Sequence, residues 1–244
     1  MMLCRRLLPL LLLPALACAA ANGSDATDDS QGAFSDGKPT KLHPEVGRLE
    51  LSESVIIDGT SVSCTATLVA PNVVLTSEAC DIGFLADKEG DFVIDTELDD
   101  SGKPRTSRKF AVDGGFFNGE KNGRFWLVKL KSPVPASVAK PAVLRRSKLQ
   151  DQEKLVAVGY GSKTWKFGEK NTSTIVFHTK ETSQPPTMQV ADTGCAAFDD
   201  QGALAAMGVS SGSSDPFGVT SDEYAQIADS YTDLVGLIAK ASAD

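Results

Sequence analysis

The 244-residue chain is poor in histidine, since His43 and His178 are its only two imidazoles. A hydroxyl nucleophile needs a base within hydrogen-bond reach, so few histidine-dependent catalytic sites can be built from this sequence. Beyond the first 21 residues, no apolar run approaches the roughly 20 residues that a membrane-spanning helix needs. Basic residues are also outnumbered, with 24 Lys and Arg against 32 Asp and Glu. We therefore expect a surface that repels nucleic acid and acidic membranes.

The first 21 residues have the layout of a secretory signal peptide. Arg5 and Arg6 precede an apolar run from Leu7 to Leu16, which is followed by small residues. Removal of this leader leaves 22 basic and 32 acidic residues, a net charge of −10. Residues 22–38 form a polar, acidic stretch that we interpret as a linker. The sequence thus predicts a protein that is secreted or located in the cell envelope.

Cys18 leaves two interpretations of the leader open. Ala15-Leu16-Ala17-Cys18 approximates a bacterial lipobox, in which the cysteine becomes a lipidated first residue. Ala15-Leu16-Ala17 is equally an A-x-A site for ordinary cleavage. We expect membrane association only if Cys18 carries a lipid.

The remainder of the chain is predicted to form short strands separated by turn residues. A hydrophobic content of 41% is enough for a packed core, and frequent Gly, Asp, Asn, Ser and Pro clusters are typical of a barrel or sandwich. A helix is predicted near the C-terminus, where Leu234, Leu237 and Ile238 share one face after Ser230 or Thr232 as a candidate N-cap. Predicted strands are 47–51, 65–69, 72–75, 92–96, 125–130, 155–158, 172–179 and 204–209.

An acidic segment spans residues 87–100. Its carboxylates at Asp87, Asp91 and Asp95 to Asp100 raise the question of a calcium site, because hard cations prefer oxygen ligands. The segment lacks the alternation and glycine placement of an EF-hand loop. We interpret it as a solvated hairpin, and we expect neither a metal nor a cofactor.

The most informative stretch is CTATLVAPNVVLTSEAC, from Cys64 to Cys80. It aligns without a gap to the pattern C-[ST]-G-[ST]-L-I-x-P-x-x-V-L-T-A-A-H-C of the chymotrypsin/trypsin-like serine proteases, and the chain resembles that family here. The resemblance implies a Cys64–Cys80 disulfide, leaving Cys195 as an odd thiol that we expect to be buried. Where the family has its catalytic histidine, this chain has Ala79, whose methyl group cannot hold a proton.

The other two catalytic positions have also changed. The family's D-I-A-L-L-K-L-x-x-P-V corresponds to Arg124-Phe-Trp-Leu-Val-Lys-Leu-Lys-Ser-Pro-Val134, so Arg124 replaces the aspartate. The nucleophile motif G-D-S-G-G-P corresponds to Ala191-Asp-Thr-Gly-Cys-Ala196. Thr193 thus occupies the serine position, and Ala191 the glycine position that contributes to the oxyanion hole. The residue six before the nucleophile is Thr187. In family members whose specificity pocket binds basic side chains, this position is an aspartate.

The resemblance covers roughly residues 34 to 240. It implies an all-β fold of two six-stranded antiparallel Greek-key barrels followed by a C-terminal helix. The N-terminal barrel is then expected over residues 39–132, and the C-terminal barrel with its helix over 133–244. Further matching segments are His43–Leu49, Lys131–Val134, Lys140–Val143, Val156–Gly161, Gly208–Gly212 and Tyr231–Thr232.

Two functions follow from this pattern. We expect a proteolytically inactive homologue that binds an unknown protein or peptide partner through the former cleft or its loops. The alternative is an endopeptidase that uses Thr193 as nucleophile, supported by the retained Asp192 and Gly194. Neither histidine matches a catalytic position, and Glu78 is displaced by one residue from the lost histidine, so a replacement base is not evident.

Overall fold

The computed structural model describes residues 37–51, 56–57, 60–61, 63–80, 90–99, 104–118, 124–160, 170–178, 193–210 and 223–243. All of these belong to one compact unit, Gln31–Asp244. The leader, Cys18, most of the linker, Thr187, Ala191 and Asp192 lie outside the described residues.

The described part of the chain contains fourteen strands and one α-helix. All pairings between these strands are antiparallel. The strands are β1 (Lys38–Pro39), β2 (Val46–Leu51), β3 (Ile56–Ile57), β4 (Thr60–Ser61), β5 (Ser63–Ala70), β6 (Val73–Ser77), β7 (Gly90–Leu98), β8 (Pro104–Asn118), β9 (Phe125–Leu130), β10 (Glu153–Gly159), β11 (Asn171–Phe177), β12 (Ala196–Phe198), β13 (Leu204–Ser210) and β14 (Glu223–Gln226). Strands β3 and β4 form a separate two-stranded sheet.

Six strands close into a barrel in the order β2-β5-β6-β9-β8-β7. Side chains alternate between the two faces of a strand, and in this barrel both faces of β6 and β9 are apolar. Val74, Val128 and Leu130 point into the barrel core, whereas Val73 and Leu127 belong to a cluster shared with the second sheet. The near-continuous apolar runs of β6 and β9 are therefore explained by burial on both sides.

A second sheet has the order β1-β11-β10-β12-β13-β14. Leu155, Ile175, Cys195 and Ala206 are among the residues of its own core. Strand β1 precedes the barrel in the chain, yet it pairs with β11 through Lys38 opposite Thr172. The expected fold of two six-stranded antiparallel barrels is thus confirmed: the first set of six strands closes into a barrel, and the second set forms one antiparallel, barrel-like sheet.

The C-terminal helix, α1 (Tyr231–Ala243), follows a 3-10 turn at Ile227–Ser230. Leu234 and Ala241 are fully buried, and Leu237 and Ile238 pack against the same shared cluster, as their spacing predicts. Within the described residues, no helix is long and apolar enough to cross a membrane.

A buried polar cluster joins the opening segment to both sheets. Arg48 on β2 donates to Asp95 Oδ1 on β7 at 2.7 Å, and its guanidinium lies 5.5 Å from the ring centre of Tyr160 at the end of β10. Lys170, which is only 2% exposed, donates to the backbone carbonyl of His43. Burial lowers the pKa of Lys170 to about 8, although attraction to Glu45 and Asp95 opposes the shift.

This shift predicts a pH dependence of stability. Because the pKa of Lys170 is lower in the folded protein than the ordinary 10.5, the unfolded chain binds more protons between about pH 8 and 10. The contribution of Lys170 to the free energy of unfolding should therefore rise with pH in that window, by about 3 kcal/mol at most. We expect Lys170→Met to lose this rise in urea unfolding at pH 7 to 10, and exposed Lys140→Met to keep it. Equal pH dependence in wild type and Lys170→Met would contradict the assignment.

Candidate functional site

Ala79 lies in a 3-10 turn, Glu78–Cys80, that follows directly on β6. A disulfide ties the end of this turn to β5, since Cys80 is bonded to Cys64 with their Cα atoms 5.9 Å apart. The Thr76 hydroxyl donates to the Thr65 carbonyl at 2.8 Å and lies 3.2 Å from the Cys80 sulfur. The disulfide expected from the resemblance is confirmed, and it holds the turn in place without a histidine on it.

Arg124 stands immediately before β9, which pairs with β6. Its backbone carbonyl accepts a hydrogen bond from the backbone N–H of Glu78 at 3.2 Å. The residue that replaces the family's aspartate is therefore adjacent to the turn that carries Ala79. Arg124 is half-buried there, next to the Glu78–Cys80 turn.

Thr193 and Gly194 form a turn that leads into β12. The Thr193 carbonyl accepts from the backbone N–H of Thr65 at 3.1 Å and lies 3.7 Å from the Cys80 sulfur. Gly194 donates its own N–H to the Gly208 carbonyl at 2.8 Å. The backbone thus brings the three positions Ala79, Arg124 and Thr193 into one region between the barrel and the second sheet.

Gly194 is required at this turn for two reasons. Its φ of +85° is a conformation that L side chains rarely adopt. A Cβ atom there would also lie 2.0 Å from the Thr65 carbonyl oxygen and 2.5 Å from Thr76 Oγ1. The retained glycine is explained by this close backbone approach, independently of any catalytic role.

Thr193 has no base beside it in the described part of the chain. Proton transfer needs an acceptor within about 3.2 Å of the hydroxyl, and no hydrogen bond of the Thr193 side chain occurs among the described residues. An alanine methyl at position 79 cannot accept a proton, and a guanidinium offers donors but no acceptor. The three positions therefore carry none of the histidine, aspartate and serine side chains on which the proton relay of a serine protease depends.

Both histidines are engaged elsewhere. The His43 ring stacks on Phe198 at 3.7 Å between ring centres, and its Nδ1 lies 2.9 Å from Glu45 Oε1. His178, just after β11, accepts at Nδ1 from the Gln152 amide at 2.8 Å. The prediction that both are packing or surface residues is consistent with these contacts.

A pocket of about 360 Å³ opens beside Arg124. No sequence pattern predicts this pocket, because most of its walls come from β14 and the turn into α1, which carry no motif. Only three-dimensional pairing of β13 with β14 places these residues near the start of β9. The lining residues are Arg124, Phe125, Tyr224, Ala225, Gln226, Asp229 and Ser230.

The acidic segment and the odd thiol have structural roles where they are described. Gly90–Leu98 is strand β7, and its Asp95 bonds with Arg48 and accepts from the Ser107 hydroxyl at 2.7 Å. Among the described residues, no group of three or more His, Cys, Asp or Glu side chains is placed to hold a metal ion. Cys195 is fully buried in the core of the second sheet, as expected.

Comparison with known proteins gives one family match and several structural matches. The family model described as Trypsin matches residues 37–215. Scabies mite inactivated protease paralogue S-D1 shares the fold with a TM-score of 0.62 at 12% identity, over 83% of this chain and 96% of that one. Paralogue S-I1 of the same mite gives 0.59 at 14% identity, over 84% and 98%. A Glu endopeptidase gives 0.58 at 14% identity, over 87% and 98%. No curated protein matches the chain.

The Gly194 turn generates a prediction with a matched control. Gly194→Ala should destabilise the protein by about 3–5 kcal/mol, because a left-handed backbone conformation and a steric overlap add. Gly202, with a φ of +77°, has nothing within 4 Å of its Cβ position, so Gly202→Ala should cost only about 1–2 kcal/mol. Urea unfolding of both variants measures the difference. Equal losses would show that the approach of Thr65 to Gly194 does not constrain the fold.

Proposed function

The chain belongs to the trypsin family, and on that premise we propose that it is an exported, proteolytically inactive member that acts as a binding or regulatory protein. The observation that carries the proposal is the joint replacement at three neighbouring positions. Ala79 removes the proton acceptor, Arg124 puts a cation where a carboxylate should orient that acceptor, and Thr193 replaces the serine. Triad residues act as a unit, so losing the base and its orienting group together removes most of the catalytic power.

The structural matches include proteins described as inactivated and one described as an enzyme. The two scabies mite paralogues are described as inactivated proteases, whereas the Glu endopeptidase is described as an enzyme. All three share the fold with this chain at 14% identity or less, and a shared fold does not determine activity. The proposal therefore depends on the residues of the site.

Export is supported by the Cys64–Cys80 disulfide, because such bonds persist in oxidising compartments. The signal-peptide pattern of residues 1–21 points the same way. Lipidation of Cys18 would tether the protein to a membrane, and cleavage without lipidation would release it. Both forms place the folded unit outside the cytosol.

The competing proposal is an endopeptidase with Thr193 as nucleophile. It is favoured by one observation, the Thr193 hydroxyl on a turn that Gly194 and hydrogen bonds to Thr65 and Gly208 hold next to the disulfide. Among the described residues no base contacts the Thr193 hydroxyl, and Glu78 is exposed and contacts Arg124 through its backbone. We therefore rank it second.

Casein hydrolysis separates the two proposals. We expect no turnover of labelled casein by the purified protein from Asn22 onward, because the family's histidine position is Ala79 and no described residue offers Thr193 a proton acceptor. The Thr193→Ala variant, prepared in parallel, defines the background from contaminating proteases. Turnover in the wild type that disappears in Thr193→Ala would overturn the inactive assignment and make Thr193 a nucleophile.

A further inference from the structure

The charged residues are unevenly distributed along the chain. Lys and Arg are outnumbered by Asp and Glu in the whole sequence, 24 to 32, but two segments reverse that balance. Residues 37–44 and 131–150 together contain seven Lys and Arg and no Asp or Glu. The negative net charge, from which repulsion of acidic membranes is expected, therefore does not describe the local surface of these two segments.

The two segments meet at Leu68 on β5. The backbone N–H of Leu68 donates to the carbonyl of Glu45, directly after the first segment, at 2.8 Å. The carbonyl of Leu68 accepts from the N–H of Ala142, in the second segment, also at 2.8 Å. One strand residue thus joins the two segments through its own donor and acceptor.

A second connection runs through β12 and β13. The His43 ring stacks on Phe198 with 3.7 Å between ring centres, and Phe198 is paired with Leu204. Leu204 donates its N–H to the Val143 carbonyl at 2.8 Å. Both segments are therefore fixed to the same part of the fold.

The most exposed large apolar side chains of the described residues lie on these segments. Val143 is 70% exposed and Leu42 is 63% exposed, whereas the others are at most 43% exposed. Lys41 precedes Leu42, Lys140 lies three residues before Val143, and Lys38 is nearby in the chain; all three lysines are exposed. Single exposed apolar side chains are common, but here two occur on adjoining segments with lysines. We call these five residues the basic-apolar face.

The lysines of this face are not neutralised by ion pairs. Within the part of the chain that the structure describes, none of the three makes a salt bridge. Two acids that adjoin the face are engaged by other groups. Glu45 Oε1 lies 2.9 Å from His43 Nδ1, and Asp199 lies 3.5 Å from Arg145. The lysine charges are therefore available to an anionic surface.

The chain enters the described fold at the basic-apolar face. Gly37 is the first described residue, and Lys38 follows it. Cys18, the candidate lipidation site, precedes Lys38 by twenty residues, which span at most about 70 Å. A lipid at Cys18 would therefore attach the folded unit to a membrane through the segment that carries Lys38 and Lys41.

This combination of groups suits an anionic membrane. Lysine ammonium groups are attracted to acidic head groups, while their aliphatic stems lie along apolar surface. Apolar side chains such as Leu42 and Val143 can enter the boundary between head groups and acyl chains. An acidic protein surface would also attract the lysines, but it gives no reason for the exposed apolar side chains beside them.

We propose that the basic-apolar face docks on a membrane that contains anionic lipid. Lys38, Lys41 and Lys140 contact the head groups, and Leu42 and Val143 enter the interface. The inference goes beyond the proposed function, because it assigns a location to the folded unit and does not depend on what the cleft binds.

Co-sedimentation with vesicles tests this proposal. The protein from Asn22 onward, which lacks Cys18, is mixed with vesicles of phosphatidylcholine alone or of phosphatidylcholine with phosphatidylglycerol. We expect at least about tenfold stronger partition onto the vesicles with phosphatidylglycerol, and weaker partition as salt is added, because salt screens the attraction. Equal partition onto both vesicles, or none onto either, would overturn the proposal.

A charge-matched pair of variants locates the binding surface. Lys41→Ser/Lys140→Ser should weaken partition onto the phosphatidylglycerol vesicles at least about tenfold. Lys154→Ser/Lys240→Ser removes the same charge from exposed lysines on β10 and α1 and should change partition less than about twofold. The melting temperature of each variant checks folding. Equal weakening by both variants would show that only net charge matters and would contradict the proposal.

A fluorescent label tests the entry of the apolar side chains. Cys64 and Cys80 are bonded to each other and Cys195 is fully buried, so a thiol-reactive nitrobenzoxadiazole label reacts at an introduced cysteine. On phosphatidylglycerol vesicles, the label on Val143→Cys should shift its emission to the blue. The label on Val235→Cys, an exposed valine on α1, should not. The same response at both positions would contradict the proposed orientation.

Soluble polyglutamate distinguishes a membrane from an acidic protein. We expect it to displace little of the protein from phosphatidylglycerol vesicles, because it offers no apolar phase to Leu42 and Val143. Displacement at an equal concentration of anionic charge would assign the face to an acidic polypeptide and overturn the membrane proposal.

Discussion

The close approach of the Thr193–Gly194 turn to the barrel is the constraint on which the arrangement of the site depends. Hydrogen bonds from Thr65 to Thr193 and from Gly194 to Gly208 fix this turn between the two sheets. Only glycine can occupy the second position, because a Cβ atom would overlap the Thr65 carbonyl. The Cys64–Cys80 disulfide holds the Glu78–Cys80 turn, which lies next to Thr193. This backbone framework is built from main-chain hydrogen bonds and a disulfide, so it does not require a catalytic side chain.

The residues that hold the backbone in place are different from those that a serine protease uses for proton transfer. This difference explains which positions match the family's motifs and which do not. Positions that the backbone or packing requires are retained, such as Gly194 and the apolar residues of β6 and β9, which are buried on both faces. The positions that the family resemblance aligns with the catalytic triad instead carry Ala79, Arg124 and Thr193. An arginine at the orienting position is not a neutral loss, since it introduces a charge into a pocket. The charge of the site therefore differs from that of the family's motif, because the cation of Arg124 stands where the motif has an aspartate.

Much of the fold could be predicted from sequence, but not all of it. The strand at Phe125–Leu130 was predicted with its observed bounds, because its apolar run is buried on both sides. The fifteen-residue strand β8 was missed, since its first half is mostly polar and its pairing with β9 is irregular between Val112 and Phe116. Strand β12 was missed because three small or isolated apolar residues give no period. That Ala79, Arg124 and Thr193 lie close together was expected only from the family resemblance. The pocket at Arg124 depends on the pairing of β13 with β14, which no local sequence pattern predicts.

The proposed inactivity requires that the hydroxyl of Thr193 is not an activated nucleophile. A fluorophosphonate reacts with an activated hydroxyl, which attacks phosphorus and displaces fluoride while a base takes its proton. Intact-mass spectrometry after prolonged exposure measures this reaction directly, with Thr193→Ala as the control. The account predicts an unchanged mass for both proteins. A single adduct on the wild type that maps to Thr193 and is absent from the variant would contradict it.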